Sequence, residues 1–132
     1  MARGHTAPWT GGAGGGLTPR VVETLEEARA AVAEARRCNR AILLVTAPGA
    51  CARLGPAYLL EMMRQAGADT PSLRALIDCG PDAGYAMLAL RLGWRDIHLK
   101  GEPSIVARIA DMTRTSGGTF HHELPAPPQR PR

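Results

Sequence analysis

Apolar positions along this chain recur at two kinds of spacing, which alternate between residues 20 and 124. Spacings of three and four residues, typical of amphipathic helices, occur in four segments. Short continuous apolar runs, typical of strands covered on both faces, separate them. The predicted helices span 24–37, 55–67, 81–93 and 102–117. The predicted strands span 41–46, 72–78, 96–100 and 119–124, and RVV at 20–22 is one further candidate.

Residues at the segment ends support this alternation. Thr24 and Glu27 have the spacing of a capping box, and Pro56 stands where a first helical turn begins. Gly67 and Gly93 follow the last periodic positions of their helices. Alternating strands and helices predict parallel strands joined by right-handed crossovers. We therefore expect an α/β fold, a small three-layer sandwich with a mostly parallel sheet of four or five strands.

The length of 132 residues predicts one domain. Residues 1–19 are rich in glycine and proline, and residues 125–132 read PAPPQRPR, so neither end can bury enough apolar area to offset its ordering. We therefore predict flexible tails at 1–19 and 125–132 around a single α/β domain at 20–124.

The net charge of +4 comes from the two ends of the chain. Arg3, Arg20, Arg130 and Arg132 account for it, since the segment 21–124 holds 16 − 4 = 12 basic and 12 acidic residues. A neutral domain gives little support to nucleic-acid binding, which favours a basic face with interleaved aromatic residues.

Cys38, Cys51 and Cys79 have no metal-like spacing and form no CxxC motif. Three unpaired cysteines are typical of a reducing compartment. The chain shows no apolar leader and no segment of membrane-spanning length. These features favour a cytoplasmic protein that does not bind a membrane, a metal ion or a cofactor.

Loops at the carboxyl ends of parallel strands are where an open sheet binds ligands. Here those loops are TAPGA (46–50), DCGPD (78–82) and KGEPS (100–104). One interpretation is that helix-start amides, with Lys100 and Ser104, hold a small anion. The other is that glycine and proline simply make tight turns. The candidate ligand-binding residues are Thr46, Gly49, Asp78, Cys79, Gly80, Lys100 and Ser104.

Chemistry beyond binding has less support in these loops. Lys100, the only lysine, has the character of a Schiff-base residue or of an ion-pair partner for Asp78. Cys79 precedes a helix, but the adjacent Asp78 should raise the pKa of its thiol. Because the loops contain no histidine, we predict no catalytic residue.

Three histidines fall on predicted strands. His121 and His122 are successive, so they point to opposite faces and cannot readily share a metal ion. One of them could form a site with His98; the alternative is that all are exposed on edge strands. We predict no metal site.

The stretch LGWRDIHLKGEP (92–103) is similar to the end of a bacterial response-regulator receiver domain, a flavodoxin-like fold, and LLVTAPGACARLGPAYLLEMMRQAG resembles the segment around its phospho-acceptor. The resemblance covers about residues 41–116. It places Lys100 at the receiver's strand-end lysine, Asp78 at its threonine or serine, and Thr46 near its phosphorylated aspartate. The phospho-acceptor and the magnesium-binding acidic pair are missing, so the resemblance implies a degenerate module that signals through contacts. The same alternation also looks like half of a phosphate-binding (β/α) barrel.

The helix AGYAMLALRL (83–92) carries Arg91 as its only charge. A helix that is apolar nearly all round needs cover on two sides. We predict an interface built from Tyr85, Met87, Leu88, Leu92 and Trp94, and deeper burial within the monomer is the alternative. The leading hypothesis is a non-enzymatic module acting through contacts, as a homodimer or with an unknown protein partner. The alternative is an enzyme or sensor for a small phosphate or carboxylate metabolite, using Lys100 and the strand-end loops.

Overall fold

A computed structural model describes residues 16–125, so the predicted tails lie almost entirely outside the described residues. The first strand begins at Thr18, two residues before the predicted start of the domain. The strands are β1 (Thr18–Val22), β2 (Ile42–Thr46), β3 (Leu73–Asp78), β4 (Asp96–His98) and β5 (Thr119–His121). The helices are α1 (Leu25–Arg37), α2 (Ala50–Leu54), α3 (Pro56–Ala66), α4 (Ala83–Leu92) and α5 (Pro103–Thr115).

Side-chain caps explain where α1 and α4 start, whereas α3 follows Gly55 and begins at Pro56. The Thr24 hydroxyl accepts a hydrogen bond from the Glu27 amide at 3.0 Å, as the predicted capping box requires. The Asp82 carboxylate accepts from the Tyr85 amide at 3.1 Å at the start of α4. Helix α2 was not predicted, because five residues are too few to show a periodic pattern.

The five strands form one parallel sheet in the order β1-β2-β3-β4-β5. The α/β class and the parallel sheet of five strands are therefore confirmed. Flavodoxin-like domains such as receivers reverse their order once, as 2-1-3-4-5. The strand order here runs without a reversal, and the receiver resemblance stays limited to the consecutive strand–helix units on which it was based.

All the long helices lie on one face of the sheet. In chain order, α1 contacts α3, α3 contacts α4, and α4 contacts α5. Their buried residues share one core with alternate strand positions, which are Val22, Ile42, Leu44, Leu73, Ala75, Ile77, Ile97 and Phe120. The opposite face has a separate apolar cluster of Leu43, Val45 and Leu76, packed against Leu17. The third layer expected from the sequence is therefore not formed by a helix within residues 16–125.

The approach of β4 to β5 requires glycine at position 118. A Cβ atom built there would lie 2.2 Å from the Arg95 carbonyl oxygen, and the next residue, Thr119, donates its amide to that oxygen at 2.7 Å. The atoms of Arg95 nearest to such a Cβ belong to the backbone, so an added side chain at position 118 would force the backbone to move.

We expect Gly118→Ala to lower the free energy of unfolding by about 3 kcal/mol, since overpacking against backbone separates the two strands. Urea denaturation measures the loss. Gly84→Ala in the exposed part of α4 is the control and should change stability by less than about 1 kcal/mol. Equal effects of the two substitutions would contradict the close approach.

Candidate functional site

The predicted loops do meet at one edge of the sheet. The Thr46 hydroxyl accepts a hydrogen bond from the Asp78 amide at 3.0 Å, which joins the ends of β2 and β3. The Lys100 amide donates to the Gly80 carbonyl at 3.0 Å, which joins the loops after β3 and β4. The candidate ligand-binding residues therefore occupy a common edge, and their binding of a ligand stays a prediction.

At this edge, the starts of α4 and α5 are already occupied by acidic side chains. Asp82 caps α4, and the Glu102 carboxylate accepts the Ile105 amide at 3.3 Å at the start of α5. Ser104 donates its hydroxyl to Glu102, and this hydrogen bond is the main reason why the pKa of Glu102 is lowered. An anion approaching α4 or α5 would meet a carboxylate in place of free amides.

Lys100 and Asp78 do not form the ion pair considered from the sequence. One Asp78 carboxylate oxygen accepts the Gly80 amide at 2.9 Å and so closes the turn after β3. Lys100 is exposed, and its ammonium group makes no hydrogen bond or ion pair with any residue in the range 16–125. The acid at this corner therefore stabilises the turn.

Cys79 is buried against a second thiol, that of Cys51 in α2. The hydrogen bond to Cys51 is the largest cause that raises the pKa of Cys79, followed by burial, and Asp78 adds to the rise. The pKa of Cys51 is lowered, chiefly by the hydrogen bond from Cys79. The predicted rise in the pKa of Cys79 is confirmed, although its main cause is Cys51, 28 positions earlier in the sequence.

The strongest electrostatic feature lies on the helix-free face and was missed by the sequence analysis. Asp96 is 0% exposed and accepts hydrogen bonds from Arg74 Nε at 3.1 Å and from Arg74 Nη2. The same carboxylate accepts from His121 Nε2 at 2.9 Å. Arg74 and His121 are also buried. We call these three residues the Asp96 cluster; it links β3, β4 and β5.

Backbone and side-chain partners fix the tautomers of two buried histidines. His98 Nδ1 lies 2.8 Å from the His121 carbonyl oxygen, which can only accept, so Nδ1 carries the proton. His121 donates from Nε2 to Asp96, and in the corresponding neutral tautomer Nδ1 carries the lone pair. That Nδ1 atom is buried and has no hydrogen-bond partner among residues 16–125. The expectation of exposed strand histidines is therefore wrong for His98 and His121, whereas His122 is exposed.

The geometry of the Asp96 cluster favours a structural role. An imidazole oriented by a carboxylate is also the arrangement of a general base. Here, however, the unprotonated nitrogen is the buried Nδ1 of His121, out of contact with solvent. Within residues 16–125, no three histidine, cysteine, aspartate or glutamate side chains are grouped so that they could hold a metal ion.

Helix α4 exposes two of its large apolar side chains, whereas Tyr85 and Leu90 pack partly against the core. Its fully buried residues are Ala86 and Ala89, while Met87 is 43% and Leu88 is 37% exposed. Tyr85 and Leu92, the other predicted interface residues on α4, are half-buried. Trp94 corrects the prediction. It is only 2% exposed and donates its indole N–H to the Pro56 carbonyl at 3.0 Å, so it belongs to the core.

Comparison with known proteins adds no family to this description: no family model matches the sequence, and no curated protein matches it. None of the described helices is both long and apolar enough to cross a membrane.

Breaking the Asp96 cluster should be costly. We expect Asp96→Asn to lower the free energy of unfolding by about 3–5 kcal/mol, because it removes the negative charge that accepts two hydrogen bonds from the buried Arg74 guanidinium. Arg74→Met should cost a similar amount, and the double variant should cost clearly less than the sum. Chemical denaturation of all four proteins measures the coupling. Additive losses would show that the two groups do not depend on each other.

The thiols should differ in reactivity. Cys38 is exposed, while Cys79 is buried with a raised pKa. We expect iodoacetamide at neutral pH to alkylate Cys38 quickly and Cys79 only after unfolding, since the thiolate is the nucleophile. Mass spectrometry of peptides from native and denatured protein locates the adducts. Rapid native alkylation of Cys79 would contradict the buried contact with Cys51.

Proposed function

We propose that the protein is a non-enzymatic cytoplasmic α/β module that acts through protein–protein contact, as a homodimer formed by α4. The observation that carries the proposal is that α4 buries small side chains and exposes two large apolar ones. Alanines pack against the sheet, and Met87 and Leu88 lie exposed at successive positions. Between Asp82 and Arg91 no charged residue interrupts the helix.

Other large apolar side chains are exposed on the preceding helices. Leu54 at the end of α2 is 39% exposed, and Tyr58 in the first turn of α3 is 57% exposed. We call Met87 and Leu88 the α4 surface, because exposed apolar residues at successive positions of one helix favour an interaction site.

A second copy of the chain is the partner that this surface suits. In a two-fold dimer each copy contributes the same patch, so an apolar surface without a strong charge is self-complementary. A stable interface of this kind buries about 800 Å² on each partner.

The alternative, an enzyme or sensor for a small anion at the strand-end loops, has weaker support. Its binding groups were expected to be Lys100, Ser104 and the first amides of the following helices. Ser104 instead donates to Glu102, and the carboxylates of Asp82 and Glu102 accept helix-start amides. The Lys100 ammonium keeps no hydrogen bond or ion pair with the described residues, so it is the remaining candidate group of the three loops.

We expect the protein to be a dimer at high micromolar concentration and the double variant Met87→Glu, Leu88→Glu to be monomeric, because burying four carboxylates in a symmetric interface is unfavourable. Both positions are exposed, so stability should change by less than about 1 kcal/mol. Sedimentation equilibrium measures the mass, and thermal denaturation checks the fold.

Met112→Glu is the matched control, because Met112 is 41% exposed near the far end of α5. This variant should remain dimeric. A monomeric parent protein at high micromolar concentration would contradict the proposed homodimer. Dissociation by Met112→Glu as complete as that by the double variant would show that the α4 surface is not the specific contact.

A further inference from the structure

A cleft of about 320 Å³ opens at the amino end of the sheet, away from the strand-end loops. It lies between α3 and the turns that lead into β3 and β4. Small residues create it, because Ala68, Ala75 and Gly93 line the space where larger side chains would close it. A Cβ atom at Gly93 would already lie 3.6 Å from Arg64 Nη2.

One apolar wall of the cleft is rigid. The Trp94 ring is buried, and its N–H is fixed on the Pro56 carbonyl at 3.0 Å. Leu60 and Ala75 extend this apolar lining. A preformed cleft with a fixed wall needs little reorganisation when a ligand enters, which is typical of small-molecule sites.

The rim carries a net positive charge. Arg64 and Arg95 line the cleft with one acid, Asp69. Arg95 Nη2 donates to the Gly117 carbonyl at 3.2 Å, which restricts its side chain. The Arg64 guanidinium makes no hydrogen bond or ion pair with any residue in the described range. A guanidinium without such partners can donate two parallel hydrogen bonds to the oxygens of a carboxylate or phosphate.

We propose that this cleft binds a small organic oxyanion, a carboxylate or phosphate monoester, through Arg64 and Arg95, with the apolar part of the ligand against Ala75 and Trp94. The volume corresponds to roughly ten water molecules in the liquid. The ligand is therefore a metabolite-sized molecule. This site is independent of the proposed dimer and lies at the opposite end of the sheet from Lys100.

Nuclear magnetic resonance titration of the full ¹⁵N-labelled chain tests the proposal, with benzoate as the apolar carboxylate and inorganic phosphate as the phosphate probe. We expect saturable shifts of the Trp94 indole N–H and the Gly93 amide with at least one probe. The stronger probe identifies the oxyanion. Trp9→Phe assigns the indole signal, because Trp9 and Trp94 are the two tryptophans.

Arg64→Gln should weaken binding about tenfold, since a charge-assisted hydrogen bond is lost. Arg53→Gln and Lys100→Gln are the controls and should leave affinity within about a factor of two, as expected for charges outside the cleft. Arg64 is exposed, so its variant should retain the parent melting temperature. Ala75→Met should abolish binding by filling the cavity.

Absence of saturable shifts with both probes would overturn the proposal. Weakening by Lys100→Gln equal to that by Arg64→Gln would also overturn it, because the anion would then lie at the carboxyl edge. An equal effect of Arg53→Gln would show unspecific attraction to positive charge. Each of these outcomes leaves the homodimer unaffected, since sedimentation tests that proposal separately.

Discussion

The Asp96 carboxylate is the group on which the second half of the sheet depends. It is fully buried and accepts charged or polar donors from Arg74 on β3 and His121 on β5. A buried ion is costly unless its hydrogen bonds are satisfied, and here two neighbouring strands supply the donors. Strands β4 and β5 have only three residues each, so few backbone hydrogen bonds hold them. The side-chain network adds the cross-strand attachment that such short strands need.

Placing every long helix on one face has consequences for the surface. The helices must approach the sheet closely, and the fully buried residues of α4 are alanines, while Met87 and Leu88 are exposed. The same use of small residues leaves a cleft where Ala75 and Gly93 meet α3. The exposed apolar residues of α4 and the cleft therefore have the same cause, which is the small side chains between the helices and the sheet. The strand-end loops differ, since their acids are used in caps and turns.

Local signals in the sequence predict most of the fold. Capping residues and helical periodicity place α1 within one residue of its observed start, and the apolar run at 41–46 gives β2. The helix-free face could not be predicted. Strand β2 is buried on both faces, as its pattern indicates, yet the helices within residues 16–125 cover only one. Arg74 interrupts an apolar strand, and its partner is 22 residues away, so the pair becomes visible only once the register of β3 and β4 is known. The loop residues were correctly placed at one edge, but the caps that occupy that edge depend on side-chain rotamers.

The protonation pattern of His121 tests the Asp96 cluster most directly. Nitrogen-15 chemical shifts of the imidazole rings, measured at neutral pH in the folded protein, distinguish a protonated ring nitrogen from one with a lone pair. The structure predicts a proton on Nε2 and a lone pair on Nδ1 of His121, with the opposite tautomer for His98. A proton on Nδ1 of His121 together with a bare Nε2 would mean that Asp96 does not accept from this ring, and the cluster as described here would be wrong.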